Sequence, residues 1–369
     1  MRRALLEQQA DTIEMVLASQ RVPGKVFAMT VAPRVVRFSL ATALGTRVQR
    51  ISGLAEEIAL ALGVPSARIV RVGGALQVEV PREEPGKVEL EALCRAMPTP
   101  PPPCTAVLGV DELGAPLLLR LPSPDVAHVL IAGTTGSGKT ALLRSILVSL
   151  AMHNRTGVLE IVLIDPKGHG LGLLADLPHR LGPMAREVWD ATDVLNRVVV
   201  EMERRDRRKV REPRLVVAID EVAELAMLGG DRVIHLLTRL TQRGREAGIH
   251  VIASTQKPTA AVLGSLAKAN FPVRLVGSVG SPEEAKVATG IAASGAEKLT
   301  GHGDFLLVSK GQTIRFQAAW ISPEAIARLV QRLQRPQSAT PSAESATGTE
   351  GKAGGGPVRR PSIPIRLVK

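Results

Sequence analysis

The sequence predicts an α/β protein built on a parallel sheet covered on both faces, with a smaller α+β domain ahead of it. Three observations predict it. Apolar, mostly β-branched runs at 128–132, 159–164, 214–219, 249–254 and 272–279 are separated by stretches of helical spacing. Continuous rather than alternating apolar strands belong to parallel sheets buried on both sides. Residues 133–140 read GTTGSGKT and fill the pattern G-x-x-x-x-G-K-[ST], between apolar HVLIA (128–132) and periodic ALLRSILVSLAM (141–152). That strand–loop–helix context is what gives the pattern its meaning. Between Lys25 and residue 97, by contrast, short alternating segments mix with helical ones.

Taken in order, residues 1–24 form an N-terminal helix or extension to which no role is assigned. The start MRRALLEQQADTIEMVLAS lacks the continuous apolar core of a signal peptide. Residues 25–97 make the small α+β domain. VVRFSL (35–40) alternates like a strand, ISGLAEEIALALGV (51–64) has helical spacing ending at glycine, and ARIVRV and ALQVEV flank Gly73-Gly74 as a hairpin. Residues 98–106 are a stiff linker, with PTPPPP at 98–103. Residues 107–335 form the P-loop domain. It opens with a hairpin over 107–121, carries a long helix near 185–211, and closes with a hairpin (304–310 and 313–320) and a helix over 323–334. The tail, 336–369, is rich in Ser, Thr, Ala, Gly and Pro and is expected to be disordered. Its basic end can add phosphate contacts, and PIRLVK can dock on a loading partner.

The 369 residues carry a net charge of +12 and only 2% aromatic residues, with no tyrosine. The excess sits on the P-loop domain, with 28 basic against 20 acidic residues over 126–335. A basic domain points to a polyanionic partner or to a generally basic composition. Scarce aromatics disfavour single-strand binding by stacking and leave contact with the duplex backbone open. No apolar stretch reaches the length of a membrane span, so a cytoplasmic protein is expected. The two cysteines, Cys94 and Cys104, have no metal-type spacing, and a disulfide between them is not expected.

The candidate site follows from the phosphate loop. Gly133, Thr134, Thr135, Gly136, Ser137, Gly138, Lys139 and Thr140 would wrap backbone N–H groups around the phosphates of ATP. Lys139 would reach the β- and γ-phosphates, and Thr140 would ligate Mg²⁺. RLVVAIDEVAEL (214–225) ends its strand on Asp220-Glu221. Asp220 can hold Mg²⁺ through water, and Glu221 can take a proton from the attacking water. The bland alternative is two acids capping the next helix. IHVIAST (249–255) leads to Gln256, either a γ-phosphate sensor or an amide bonded to backbone. Arg243 and Arg245, in QRGREAGIH (242–250), are either charges at a helix C-terminus or fingers for a neighbour's ATP. The basic run MERRDRRKVRE reads as a solvated helix face or a binding site.

These residues, with LIDPKGHG (163–170), VEMERR (200–205), REAGIHVIASTQKP (245–258), LAKANFPVR (266–274) and GAEKLTGHGDFLL (295–307), resemble the FtsK/SpoIIIE family of double-stranded DNA translocases. The resemblance runs from about residue 25 to 335. It implies a RecA-like core and a homo-oligomeric, hexameric ring with duplex DNA in the pore. It makes Arg245 the trans finger and Gln256 the sensor, and it turns Lys257 and Lys268 toward the DNA. Asp165 and Lys167 fall in a DPK signature with no role assigned. Three departures stand out. No membrane segment precedes the motor, so anchoring at a septum is not expected. No winged-helix module follows it, so sequence-set polarity of movement is not expected either. The stretch 280–293 differs from the family's pattern, which leaves a third DNA contact open. A protein-secretion ATPase and a static ATP-gated DNA adaptor are the competing readings.

Overall fold

The computed structural model describes residues 3–33, 35–42, 47–72, 75–82, 86–168, 170–256, 271–335 and 366–368. Contacts divide the chain into two units, Met1–Val88 with Glu112–Gly114, and Glu89–Asp111 with Ala115–Lys369.

The first unit is an antiparallel sheet with helices on one face. Its elements are α1 (Arg3–Ser19), β1 (Gly24–Val31), β2 (Val35–Thr42), α2 (Val48–Ser52), α3 (Ala55–Leu62), β3 (Arg68–Val72) and β4 (Ala75–Pro81), with strand order β1-β2-β4-β3. Val36, Phe38 and Leu40 of β2 and Leu76, Val78 and Val80 of β4 share one parity and so one face. They pack with Ile51, Ile58 and also Ala10, Ile13 and Leu17. α1 therefore contributes to this unit's core, where the sequence left it as an extension. The helical stretch at 51–64 divides into α2 and α3, and α3 stops at Gly63 in the left-handed region (φ 66°).

The second unit begins near Val88–Glu89 (β5) and α4 (Leu90–Ala96). α4 packs on β6 (Thr105–Asp111) and β14 (Gln312–Trp320), which is why the boundary falls before it and not at residue 97. The remaining elements are β7 (Pro116–Arg120), β8 (Val129–Ala132), α5 (Lys139–His153), β9 (Leu159–Ile164), α6 (Val188–Arg208), β10 (Arg214–Ile219), α7 (Val222–Arg243), β11 (Ile249–Thr255), β12 (Val273–Val276), α8 (Pro282–Thr289), β13 (Asp304–Ser309), α9 (Pro323–Gln334) and β15 (Arg366–Val368). Along the main path the strands run β15-β7-β6-β14-β13-β12-β8-β11-β10-β9. β12, β8, β11, β10 and β9 are mutually parallel. β6 with β7 and β13 with β14 form the two hairpins expected over 107–121 and 304–320, and they extend the parallel strands antiparallel, so the whole sheet is mixed. Of the tail, only β15 is described, and it pairs parallel with β7.

Both faces of the parallel strands are covered. Leu215, Val217 and Ile219 of β10 pack with α6 and α7, while Val216 and Ala218, of opposite parity, are just as buried. α5 lies against β6, β14, β11 and β8 with most of its surface buried, as an apolar helix between layers must. The basic run at the end of α6 divides by position. Arg204 and Arg205 both bond Glu201, but Arg205 is buried and also donates to the Pro213 carbonyl at 2.6 Å. Cys94 is half-buried and Cys104 buried, both as free thiols. Among the described residues, no helix is long and apolar enough to cross a membrane, and no cluster of three His, Cys, Asp or Glu could hold a metal.

Candidate nucleotide site

The phosphate loop turns where the sequence places glycine. Gly133, Gly136 and Gly138 take φ of 150°, 86° and 100°, conformations that L side chains rarely adopt. Other segments hold the loop from outside. Thr134 N donates to Ser278 O at 2.8 Å, His302 N to Gly136 O at 3.2 Å, and Gly303 N to Ser137 O at 3.0 Å. α5 starts directly after the loop with no side-chain cap and no acid in its first turn. Its positive end is left for an anion. Lys139 is buried and donates to Thr134 O at 2.8 Å inside the loop. Burial lowers its pKa, against the pull of Glu221 and Asp220.

β10 delivers two carboxylates to the same edge. Asp220 accepts from the Thr140 hydroxyl at 3.3 Å and from the Ser254 hydroxyl. Glu221 sits at the strand-to-helix turn with φ 62° and ψ 60°, an uncommon conformation for a residue with a Cβ. Its carboxylate is buried and accepts from Thr255 Oγ1 at 3.0 Å and from the Gln256 backbone N–H at 3.1 Å. The Gln256 side-chain oxygen accepts from Thr135 Oγ1 at 3.1 Å. One residue thus links the phosphate loop to the Glu221 carboxylate.

The DPK turn is a built part of this site. Asp165 is fully buried, and its carboxylate accepts from the N–H groups of Gly168, Gly170 and Leu171 at 3.0, 2.8 and 2.8 Å. The turn sets Gly170 against Asp220. A Cβ at Gly170 would lie 1.8 Å from Asp220 Oδ2, so only glycine fits. Arg144 of α5 donates to the Gly170 carbonyl. Lys167 pairs with Glu224 at 2.7 Å and is close enough for Asp220 and Glu221 to support its charge.

The donor set suits Mg²⁺·ATP. The hydroxyl of Thr140 and the carboxylate of Asp220 form a hard, all-oxygen pair. The uncapped helix end and the buried Lys139 match the phosphates. Thr135, Lys139, Thr140, Asp220, Glu221 and Gln256 come together at the carboxyl edge of the parallel strands.

Arg245 does not join them. α7 ends at Arg243, which pairs with Asp206 at 2.9 Å. Arg245 follows in the Gly244–Gly248 turn, exposed, donating to Pro124 O at 3.3 Å. That turn precedes β11, while Gln256 follows it. Seven strand residues separate the two by roughly 20 Å, so Arg245 lies at the opposite edge of the sheet from its own phosphate loop. Lys257 and Lys268 lie outside the described residues. Ser254, Thr255 and Ser278 escape the sequence reading because, in a buried strand or loop, a hydroxyl looks like any β-forming side chain.

Comparison with known proteins agrees with this architecture. Residues 91–212 and 206–260 match the FtsK/SpoIIIE family and residues 1–82 match the FtsK alpha domain. The chain is 34% identical over 359 residues to the DNA translocase SftA of Bacillus subtilis, covering 90% of this chain and 37% of SftA. It is 32% identical over 368 residues to the DNA translocase FtsK of Sporosarcina ureae, covering 91% of this chain and 47% of that protein. The chain therefore spans less than half the length of these relatives. Among solved structures, the pCW3 conjugation coupling protein TcpA, in a monomer form with ATPγS, shares the fold with a TM-score of 0.60 at 19% identity. That match covers 89% of this chain and 100% of TcpA. The cytoplasmic domain of the Thermomonospora curvata type VII secretion ATPase EccC does so with a TM-score of 0.55 at 24% identity, covering 65% of this chain and 32% of EccC. With its alpha domain, phosphate loop and Asp220-Glu221 strand end in sequence and register, the chain belongs to the FtsK/SpoIIIE family of ATPases, homologous to DNA translocases.

Proposed function

We propose that this chain is an ATP-driven motor for double-stranded DNA, working as a hexameric ring in which Arg245 of each subunit completes its neighbour's ATP site. The reading serves segregation or transfer of a chromosome or mobile element. The observation that carries it is the division of catalytic groups between opposite edges of one sheet. Lys139, Thr140, Asp220, Glu221 and Gln256 stand at one edge and the exposed Arg245 at the other. A lone subunit cannot bring the two together, whereas a ring of identical subunits can. The relatives named DNA translocases and the basic excess over 126–335 support duplex DNA as the track.

In this mechanism the loop N–H groups and Lys139 bind the β- and γ-phosphates. Thr140 and Asp220 would hold Mg²⁺, which would supply charge neutralisation for the phosphates. Glu221, oriented by Thr255 and the Gln256 N–H, takes the proton of the attacking water as that oxygen bonds to the γ-phosphorus and the β–γ bridge breaks. Gln256 reports loss of the γ-phosphate to the Thr135 side of the loop. The neighbour's Arg245 meets the charge that develops in the transition state. Lys257 and Lys268 are assigned to the DNA backbone on the family resemblance.

The test is displacement of a triplex-forming strand from duplex DNA. ATP-dependent displacement together with duplex-stimulated hydrolysis is expected. Duplex binding with no displacement would make the protein a static adaptor. Hydrolysis stimulated by polypeptide and indifferent to duplex would make it a secretion ATPase.

A further inference from the structure

We infer that His128 and His250 form a buried pair that positions Arg245; the inference rests on the trans role proposed for that arginine. Both histidines lie at the amino edge of the parallel strands. His128 immediately precedes β8, and His250 is the second residue of β11. Their rings are 1% and 0% exposed, with centroids 6.5 Å apart. Each is tied to the other's segment. Val251 N donates to His128 Nδ1 at 3.0 Å, and His250 Nδ1 donates to Ala127 O at 2.8 Å. The partners set the tautomers, because an amide N–H can only donate and a carbonyl can only accept. In neutral rings, His128 then carries its proton on Nε2, and His250 has its lone pair there. Among the described residues, neither buried Nε2 has a hydrogen-bond partner. Burial pushes the His128 pKa down to about 3 and that of His250 to about 4. His250 and Arg245 add to the first fall, Arg214 and Arg245 to the second.

The two rings hold the two segments between which Arg245 sits. On one side the guanidinium donates to Pro124 O, in a turn where Val126 N bonds Ser123 O at 3.1 Å. That turn ends on Ala127, whose φ of 38° is uncommon for a residue with a Cβ, and whose carbonyl is the one His250 holds. On the other side Gly244, the residue before Arg245, lies against His128. A Cβ there would stand 3.4 Å from His128 Cε1. An apolar residue at 250 would leave the Ala127 carbonyl unpaired and buried, and the turn would shift to satisfy it. Arg245 would move with the turn.

The experiment is a double-mutant cycle on the assembled, DNA-bound ring, reading kcat and KM for ATP. The proteins are the unmodified chain, His250→Leu, Arg245→Ala and the double variant, with His250→Asn and His250→Gln beside them. His250→Leu is expected to lower kcat between about ten- and a hundredfold, as small misplacements of a catalytic group do, with KM unchanged. Asn carries its amide near the position of Nδ1 and is expected to recover most of the loss, while Gln, reaching toward Nε2, is not. In the Arg245→Ala background, His250→Leu should change nothing further. If it slows that background by the same factor, or if Asn and Gln behave alike, the positioning role is overturned while the trans role stands. If Arg245→Ala itself turns over normally, the trans role falls and the positioning role falls with it. Should His250→Leu fail to fold, the Asn and Gln variants decide.

Discussion

The two edges of the parallel sheet are built on opposite principles. At the carboxyl edge, polar groups are dense and mutually bonded. Asp220 is held by Thr140 and Ser254, Glu221 by Thr255 and the Gln256 N–H, and Asp165 by three backbone N–H groups. At the amino edge, Arg245 is exposed, holds one carbonyl at 3.3 Å and, among the described residues, has no carboxylate in ion-pair range. Beneath it lie two buried histidines. The first edge is preorganised to bind and polarise. The second presents a cation outward on a rigid turn, which is how a group meant for another molecule would be displayed. In the proposed ring, each subunit carries most of one catalytic site and the missing piece of another.

Variants can sharpen or break this contrast. The largest effects belong to the carboxyl edge. Lys139→Ala should abolish detectable ATP binding, because the phosphate charge goes unmatched. Glu221→Gln should keep binding and lower turnover by about 10²–10⁴, because an amide cannot take the proton. Equilibrium binding and steady-state hydrolysis together check the pair, and near-normal turnover in Glu221→Gln would remove it as the base. Arg245→Ala, at the other edge, should cost about 10³ or more in kcat with nucleotide affinity unchanged. A matching loss of ATP affinity would place the arginine at its own subunit's site and erase the contrast.

A smaller effect is expected at Gly170. A methyl there collides with the Asp220 carboxylate, so Gly170→Ala should weaken Mg²⁺-dependent ATP binding by about tenfold, or about 1.4 kcal/mol, and leave Mg²⁺-independent binding alone. Titration calorimetry with and without Mg²⁺ reads the difference.

Much of the carboxyl edge is readable from residues because its chemistry is written in glycine spacing and in acids at a strand end. The arrangement of Lys139, Thr140, Asp220 and Glu221 follows from those rules. Asp165 is not readable, since its role depends on a turn that folds back onto its own carboxylate. His128 and His250 are hidden for a related reason: inside apolar runs they resemble ordinary core residues, and only the pairing of β8 with β11 brings them together. In the first unit, β1 is missed because it is a sheet edge, mostly exposed, with Phe27 63% exposed and little alternation to read. α8 is missed although its start, Ser281 followed by Pro282, Glu283 and Glu284, is a capping signal; Ser281 accepts from Glu284 N there. The hairpins β6–β7 and β13–β14 are readable as hairpins, but their joining to the parallel strands in one mixed sheet is not, because the β12–β13 and β14–β6 pairings link separate segments.

A separate effect, on stability and not on turnover, falls on the buried histidines. The unfolded chain binds protons that the buried histidines refuse, since their folded pKa values, about 3 and about 4, lie below the usual 6.5. Their contribution is present in full above about pH 6.5 and is lost as pH falls toward 4 and below, with a slope approaching about 1.4 kcal/mol per pH unit for each histidine. Denaturant unfolding from pH 7 to pH 4.5 should show this decline, and His128→Asn with His250→Asn should flatten it. An unchanged slope in that double variant would assign the acid sensitivity elsewhere.

The central claim is that a working site is shared between subunits, and mixed rings test it most directly. Arg245→Ala and Glu221→Gln subunits, each nearly inactive alone, should regain hydrolysis when co-assembled on duplex DNA. Some interfaces then join an intact Glu221 to an intact Arg245 of the next subunit. The account predicts activity that rises to a maximum near equal mixing. Verified mixed rings that stay as inactive as either parent at every ratio would contradict it.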